Sequence, residues 1–291
     1  MSNWEVLTDV RAILGEGPVW DTRNGYLYWV DIEGQRFYEY DVADNTLRTH
    51  EAGQRIGAVV PRSSGGFLAA MEQGLYLYDT VSGEWTEWND TERERTDNRF
   101  NDGKCDANGR LWAGTMSLRG LERQGSLYRF NADGSARRME TEIGTSNGLA
   151  WSLDNKHFYY IDSNARCVAA YDYDLEKGEI GGRRTILEIP QEAGSPDGMS
   201  IDSEGMLWIA HWGGYKVARM NPATGETLEE IKLPAPLVTS CCFGGAEMDE
   251  LYITTARVGL SDEVLHEYPL SGALFRVKVG VKGTASVPFG G

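Results

Sequence analysis

Four polar residues recur at one position of a repeating pattern: Glu16, Asn101, Asn147 and Asp197. Counted forward to the apolar runs at Leu27, Leu111, Phe158 and Leu207, they lie 11, 10, 11 and 10 residues upstream. Asn-Gly and Asp-Gly are favoured turn dipeptides, so Asn147-Gly148 or Asp197-Gly198 alone specifies only a turn. Glu16 gains nothing from that explanation, which makes the shared position a candidate for chemistry. Two carboxylates and one or two amide oxygens form a hard donor set, suited to a divalent cation whose remaining positions are water. Buried without such a cation, the carboxylates would be costly.

The elements that must position them show as an internal repeat. Short apolar-aromatic runs begin at Leu27, Phe67, Leu111, Phe158, Leu207 and Leu251, with gaps of 40, 44, 47, 49 and 44 residues. A second run follows each: Phe37 to Asp41, Leu75 to Asp79, Leu127 to Asn131, Val168 to Asp172, Val217 to Asn221 and Leu274 to Lys278. Alternating strand, Gly/Asp/Asn turn and alternating strand is the pattern of hairpins. Six such units predict an all-β, six-bladed β-propeller with four-stranded antiparallel blades around a central, metal-containing channel. A pair of β-sandwiches is the rival, but it would not carry one repeat evenly through the midpoint. We therefore expect a single domain over residues 1–291, with Trp4-Glu5-Val6-Leu7 completing the last blade. The segments Gly15–Pro18, Arg55–Ala58, Asn101–Lys104, Ser146–Leu149, Pro196–Met199 and Ser240–Phe243 read as the turns opening each blade at the channel mouth.

Composition narrows the partners. The 291 residues are 41% apolar and carry a formal charge of -16, which disfavours nucleic acid and anionic membrane surfaces. No stretch reaches the ~20 apolar residues of a membrane span, and the first residues lack a secretory pattern. Nothing points to an obligatory protein partner. Cys105, Cys167, Cys241 and Cys242 form no CxxC pair, so neither a disulfide framework nor a thiolate zinc site is expected, and a cytoplasmic location fits. His50, His157, His211 and His266 are scattered, so oxygen ligands must hold any metal.

At these residues the chain resembles the gluconolactonase family that includes regucalcin, or senescence marker protein. The likeness is carried by Leu14-Gly15-Glu16-Gly17-Pro18-Val19-Trp20, Arg99-Phe100-Asn101-Asp102-Gly103-Lys104, Gly114-Thr115-Met116, Ser146-Asn147-Gly148-Leu149, Pro196-Asp197-Gly198-Met199 and Cys241-Cys242-Phe243-Gly244-Gly245. It runs from Glu16 to Val281-Lys282-Gly283, essentially the whole chain. The resemblance implies a six-bladed propeller with one catalytic divalent metal, held by Glu16, Asn147 and Asp197, and a substrate contacted by Arg99 and Asn101. After Gly-Thr-Met the family's animal members carry acidic residues that help bind the sugar, whereas this chain reads Ser117-Leu118-Arg119-Gly120-Leu121-Glu122. Arg119 is a solvated loop charge or a cation favouring an anionic substrate.

The implied activity is hydrolysis of a small-molecule sugar lactone to an aldonic acid. Its cation could be Ca, Mn, Zn, Mg or Fe(II). Such an ion can polarise the carbonyl and acidify water. Asp197 is the candidate general base, with a purely ligating role as the alternative. Arg99 and Asn101 offer donors to sugar hydroxyls or the ring carboxyl. A serine nucleophile is disfavoured, although Gly144-Thr145-Ser146-Asn147-Gly148 has the GxSxG spacing. Other readings are a lactonase for galactono-, xylono-, arabino- or anionic-substituted lactones, and a noncatalytic calcium-binding propeller. Cys105 and most of the tryptophans read as core, Cys241 and Cys242 as lining or packing the channel, His211 as a packing or loop residue, and Asn89 to Asn98 as an exposed loop.

Overall fold

The computed structural model describes residues 4–291. It is almost entirely antiparallel β-sheet, with one short α-helix, Asp262–Glu267, and one 3-10 turn, Gln191–Ala193, among the described residues. Ser261 caps the helix by accepting a hydrogen bond from the Val264 amide. Among the described residues no helix is long and apolar enough to cross a membrane.

Four sheets have four strands each, and a fifth has eight. The larger sheet divides into two four-stranded halves joined by a single pair, Trp212 with Leu237. Five of the six resulting units run in sequence from the first strand outward, and the sixth does so for its first three strands. The first strands are Gly15–Asp21, Ile56–Pro61, Asn98–Cys105, Ser146–Trp151, Ser195–Ile201 and Leu237–Gly244. Each packs on the next, and the sixth packs back on the first, giving a propeller-like cyclic order. Trp4–Val6 supplies the outermost strand of the sixth unit by pairing with Phe275–Lys278, so the chain's two ends share one sheet, as the sequence suggests.

The apolar-aromatic runs used as anchors are the second strands of their units, and the runs after them are the third. The segments expected to be opening turns are instead the first strands themselves. All six carry a register shift where a turn was expected: between Glu16 and Val19, Ile56 and Ala58, Phe100 and Asp102, Asn147 and Leu149, Pro196 and Met199, and Val238 and Ser240. A bulge bends a strand and re-aims its side chains, which is why strand and turn chemistry coincide here.

The glycines beside these bulges serve close approach. Gly57, Gly148 and Gly198 do not have positive φ. A Cβ on Gly57 would lie 2.4 Å from the Phe100 carbonyl oxygen, and one on Gly198 would lie 2.4 Å from the Ser240 Cβ. The first strands therefore meet backbone to backbone near the site.

The core lies between units. Six buried clusters join neighbouring units, as in Trp29, Tyr38 and Trp20 against Cys242 and Tyr252, or Trp112 and Leu127 against Leu149 and Phe158. Burial of each such large side chain contributes about 1.5–3 kcal/mol. Two units share a further lock: the Trp112 and Trp208 indoles each donate over 2.9 Å to a fully buried carboxylate, Asp106 and Asp202. Those carboxylates also cap the turn before the strand, accepting from the amides of Arg110 and Met206. Cys105 is buried in these cores, as expected, and Cys241 and Cys242 are packed in the clusters of the sixth unit.

The packing predicts that Gly57→Ala, which has only backbone to push against, lowers unfolding free energy by about 1–3 kcal/mol. Gly181, with nothing within 4 Å of its added Cβ and no positive φ, serves as the control. Gly181→Ala should stay within about 0.5 kcal/mol of wild type in urea titrations. Equal effects would contradict the close-approach account.

Candidate functional site

Glu16 is the second residue of its first strand, Arg99 and Asn101 the second and fourth of theirs, Asn147 the second and Asp197 the third. The ring places those strand ends together. All five side chains are buried, and all five line one cavity of about 390 Å³. The cavity wall also includes Leu14, Met116, Thr145, Ser163, Asn164, Arg166, Ser195 and Trp212, with neither histidine nor cysteine among the lining residues.

A relay of hydrogen bonds fixes the amides. Arg99 Nη1 donates to Asn101 Oδ1 at 2.5 Å and to the Phe100 carbonyl at 3.0 Å. Asn101 Nδ2 donates to Asn147 Oδ1 at 2.9 Å and to the Ser146 carbonyl at 2.8 Å. Asn147 Nδ2 donates to Ser163 Oγ at 2.8 Å, and that hydroxyl donates to the Pro196 carbonyl at 2.6 Å. The last acceptor immediately precedes Asp197. With its nitrogen spent on Ser163, Asn147 keeps its oxygen toward Asn101, with a second lone pair to offer.

The carboxylates are far less satisfied. Glu16 Oε2 accepts only from the Gly17 amide, at 3.0 Å, and Asp197 Oδ1 is buried without any partner. A third buried carboxylate, Asp102, accepts from the Gly103 amide at 2.7 Å. Burial, then the charge of Asp102, pushes Glu16 from its ordinary 4.5 up to about 8. Burial, then the charges of Glu16 and Asp102, raises Asp197 well above the carboxylate range. Asp102 is also raised by burial, with Lys104 pulling the other way. Burial lowers Arg99 to about 10 although Glu33 and Glu16 favour its charge. Positive charge is therefore short among these carboxylates, the condition a bound cation relieves.

The donor set fits a hard divalent cation: two carboxylates and an oriented amide oxygen, with one carboxylate oxygen unpartnered. Among the described residues no three His, Cys, Asp or Glu side chains form a metal-ligand group, because the third donor would be an amide. Glu16, Asn147 and Asp197 are the residues that could hold the ion.

Sequence reasoning missed Asp102, taken as part of a turn, and the wall formed by Ser163, Arg166 and Ser195. No composition signal marks the wall; the ring brings it in from the turn after the second strand of unit four and from the start of unit five. Arg119 does not line the cavity: it is exposed and pairs with Asp97 at 3.2 Å, a solvated rim charge. His211 is a buried strand residue whose Nδ1 lies 2.9 Å from the Ala193 carbonyl, and burial lowers it to about 4. Within the expected loop from Asn89 to Asn98, the Glu92 side chain is buried against Tyr128 and Asn98.

Cyclically packed four-stranded antiparallel sheets with a buried oxygen-donor cavity at the first-strand ends define a propeller-like protein with a polar axial site. Residues 14–257 match the family described as SMP-30/Gluconolactonase/LRE-like region. The chain is 40% identical to regucalcin of Gallus gallus, over 97% of this chain and 96% of that protein. It is 38% identical to a Bacillus subtilis (strain 168) protein provisionally named sugar lactone lactonase YvrE, over 97% of each. The crystal structure of a calcium-binding protein, regucalcin, from Agrobacterium tumefaciens superposes with a TM-score of 0.95 at 27% identity, covering 99% of this chain and 97% of that one. The chain belongs to the SMP-30/gluconolactonase/LRE-like family.

The raised carboxylates predict a direction of pH dependence. Between pH 4.5 and about 8 the metal-free native state holds a proton on Glu16 that the unfolded chain has released. Its contribution to stability therefore falls as pH rises through that window. Urea titrations of metal-free protein from pH 5 to 8 should show Glu16→Gln gaining on wild type as pH increases. Parallel profiles would contradict the shift.

Proposed function

We propose that this protein is a metal-dependent sugar lactonase, built as a single six-bladed propeller domain over residues 1–291. The observation that carries the reading is the buried, partnerless Asp197 Oδ1 in the same cavity as Glu16, Asn147 and Arg99. Glu16, Asn147 and Asp197 hold one divalent cation, which could be Ca, Mn, Zn, Mg or Fe(II). When bound, such an ion polarises an ester carbonyl and lowers the pKa of water.

The chain's own groups complete the chemistry. Asp197 Oδ1, free of other partners, takes the proton from the attacking water as a new C–O bond forms at the lactone carbonyl. When the ring C–O bond breaks, the same proton passes to the departing ring oxygen, which becomes the hydroxyl of the hydroxy acid. Arg99 contributes donors to the substrate, while Asn101, its amide hydrogens spent on Ser146 and Asn147, holds Arg99 through Oδ1 and keeps a lone pair there to accept from a sugar hydroxyl; the relay through Asn147 and Ser163 keeps both from rotating. Leu14, Met116 and Trp212 form the apolar part of the wall, suited to the C–H faces of a sugar and to limiting water. The provisional lactonase name of the Bacillus subtilis relative supports this class of reaction. Four unpaired, buried cysteines are in keeping with a reducing cytoplasm.

A second reading, a noncatalytic calcium-binding protein, draws on the description of the Agrobacterium tumefaciens structure. Both readings use the same donors, so binding alone does not separate them.

Proton release from a panel of aldono-1,4- and 1,5-lactones separates them. Chelator-treated protein should be inactive and recover on addition of a divalent ion. Asp197→Asn should lower kcat by about 10²–10⁴-fold. Full activity after rigorous metal removal refutes the metal-dependent reading; calcium binding with no hydrolysis anywhere in the panel supports the noncatalytic one.

A further inference from the structure

We propose that the substrate carries a second carboxylate, remote from the lactone carbonyl, and that Arg166 with Ser195 receives it. The substrate class rests on the lactonase reading above; the anion preference rests on the geometry of the cavity wall.

Arg166 lies in the turn between the second and third strands of unit four, in the left-handed region at φ 53°, and lines the cavity half-buried. Its guanidinium is held by four uncharged acceptors. Nε donates to the Ile189 carbonyl at 3.2 Å, Nη1 to Ser195 Oγ at 3.0 Å, and Nη2 to the Pro190 and Gly194 carbonyls at 2.7 and 2.5 Å. Two other arginines that are largely buried, Arg110 and Arg219, are instead neutralised by Asp106 and Asp202, each at 2.7 Å. Arg166 is thus fixed in position without being discharged.

Donor counting shows what it still has to offer. A guanidinium has five N–H groups, and four are used, leaving one on Nη1. That nitrogen is bonded to Ser195 Oγ, whose hydroxyl proton is also free to donate, and Ser195 lines the same cavity. An N–H and an O–H side by side suit the two oxygens of one carboxylate, and the fixed guanidinium adds charge. The lining carboxylates, Glu16 and Asp197, are assigned to the cation, so none remains to occupy Arg166. A lactone of an aldaric or uronic acid meets both ends of the cavity; a neutral aldonolactone leaves Arg166 without a partner.

The test compares D-glucaro-1,4-lactone with D-glucono-1,4-lactone, which share a ring and differ in a carboxylate or hydroxymethyl at C6. Wild type should favour the glucaro-lactone at least tenfold in kcat/KM, chiefly through KM. Arg166→Gln should cut that ratio by at least tenfold, and Arg166→Lys should restore part of it. A residue that merely pins the 190–195 segment would slow both lactones alike and leave the ratio unmoved, which overturns the proposal. Calorimetry with glucarate and gluconate on metal-free protein reads the same preference without turnover. Tighter glucarate binding that Arg166→Gln abolishes supports the anion site even if neither lactone is hydrolysed, in which case the lactonase reading alone fails. Equal affinities for the two acids in wild type overturn the anion site.

Discussion

The structure turns on carboxylates held out of water without enough positive charge. Glu16, Asp102 and Asp197 are buried among the first strands, and Arg99 is the buried guanidinium whose charge acts on Glu16 and Asp197. An arrangement of this kind costs stability in the empty state and is retained where a ligand resolves it. The amides do not resolve it, because Asn101 and Asn147 spend their nitrogens on each other's neighbourhood and on Ser163. What remains is a set of oxygens facing one cavity, with Asp197 Oδ1 unsatisfied.

Holding that set together is the task of the fold. Four of the six first strands contribute one or two residues each to the cavity, so the site exists only if neighbouring units stay in register with one another. The glycines at the bulges permit the necessary approach, and the aromatic clusters between units supply the burial that maintains it. The Trp4–Val6 strand seals the sixth unit with the N-terminal end of the chain, tying the last unit to the segment that leads directly to Glu16. Stability and site geometry therefore depend on the same contacts.

Much of this was legible in the sequence. The second and third strands showed as aromatic runs because they are buried on both faces, and the even spacing of those runs gave the repeat. Glu16, Arg99, Asn101, Asn147 and Asp197 emerged from a shared offset and from family resemblance, and the structure places all five on one cavity. Apart from Trp4–Val6, the outer strands were invisible because they are solvated: in Thr46–Glu51 no residue is fully buried. The first strands were mistaken for turns because their Gly, Asn and Asp residues belong to bulges and close approaches, which mimic turn composition. Asp102 was hidden by the same ambiguity. Arg166 could not have been found, since its place beside Ser195 depends on how unit four meets unit five.

The most direct measurement of the central claim is a crystal of this protein soaked in manganese and examined by anomalous scattering. The account predicts one strong peak within coordination reach of Glu16, Asn147 and Asp197, absent from crystals of Asp197→Ala. A cavity without a peak, or a peak bound only elsewhere, would contradict it.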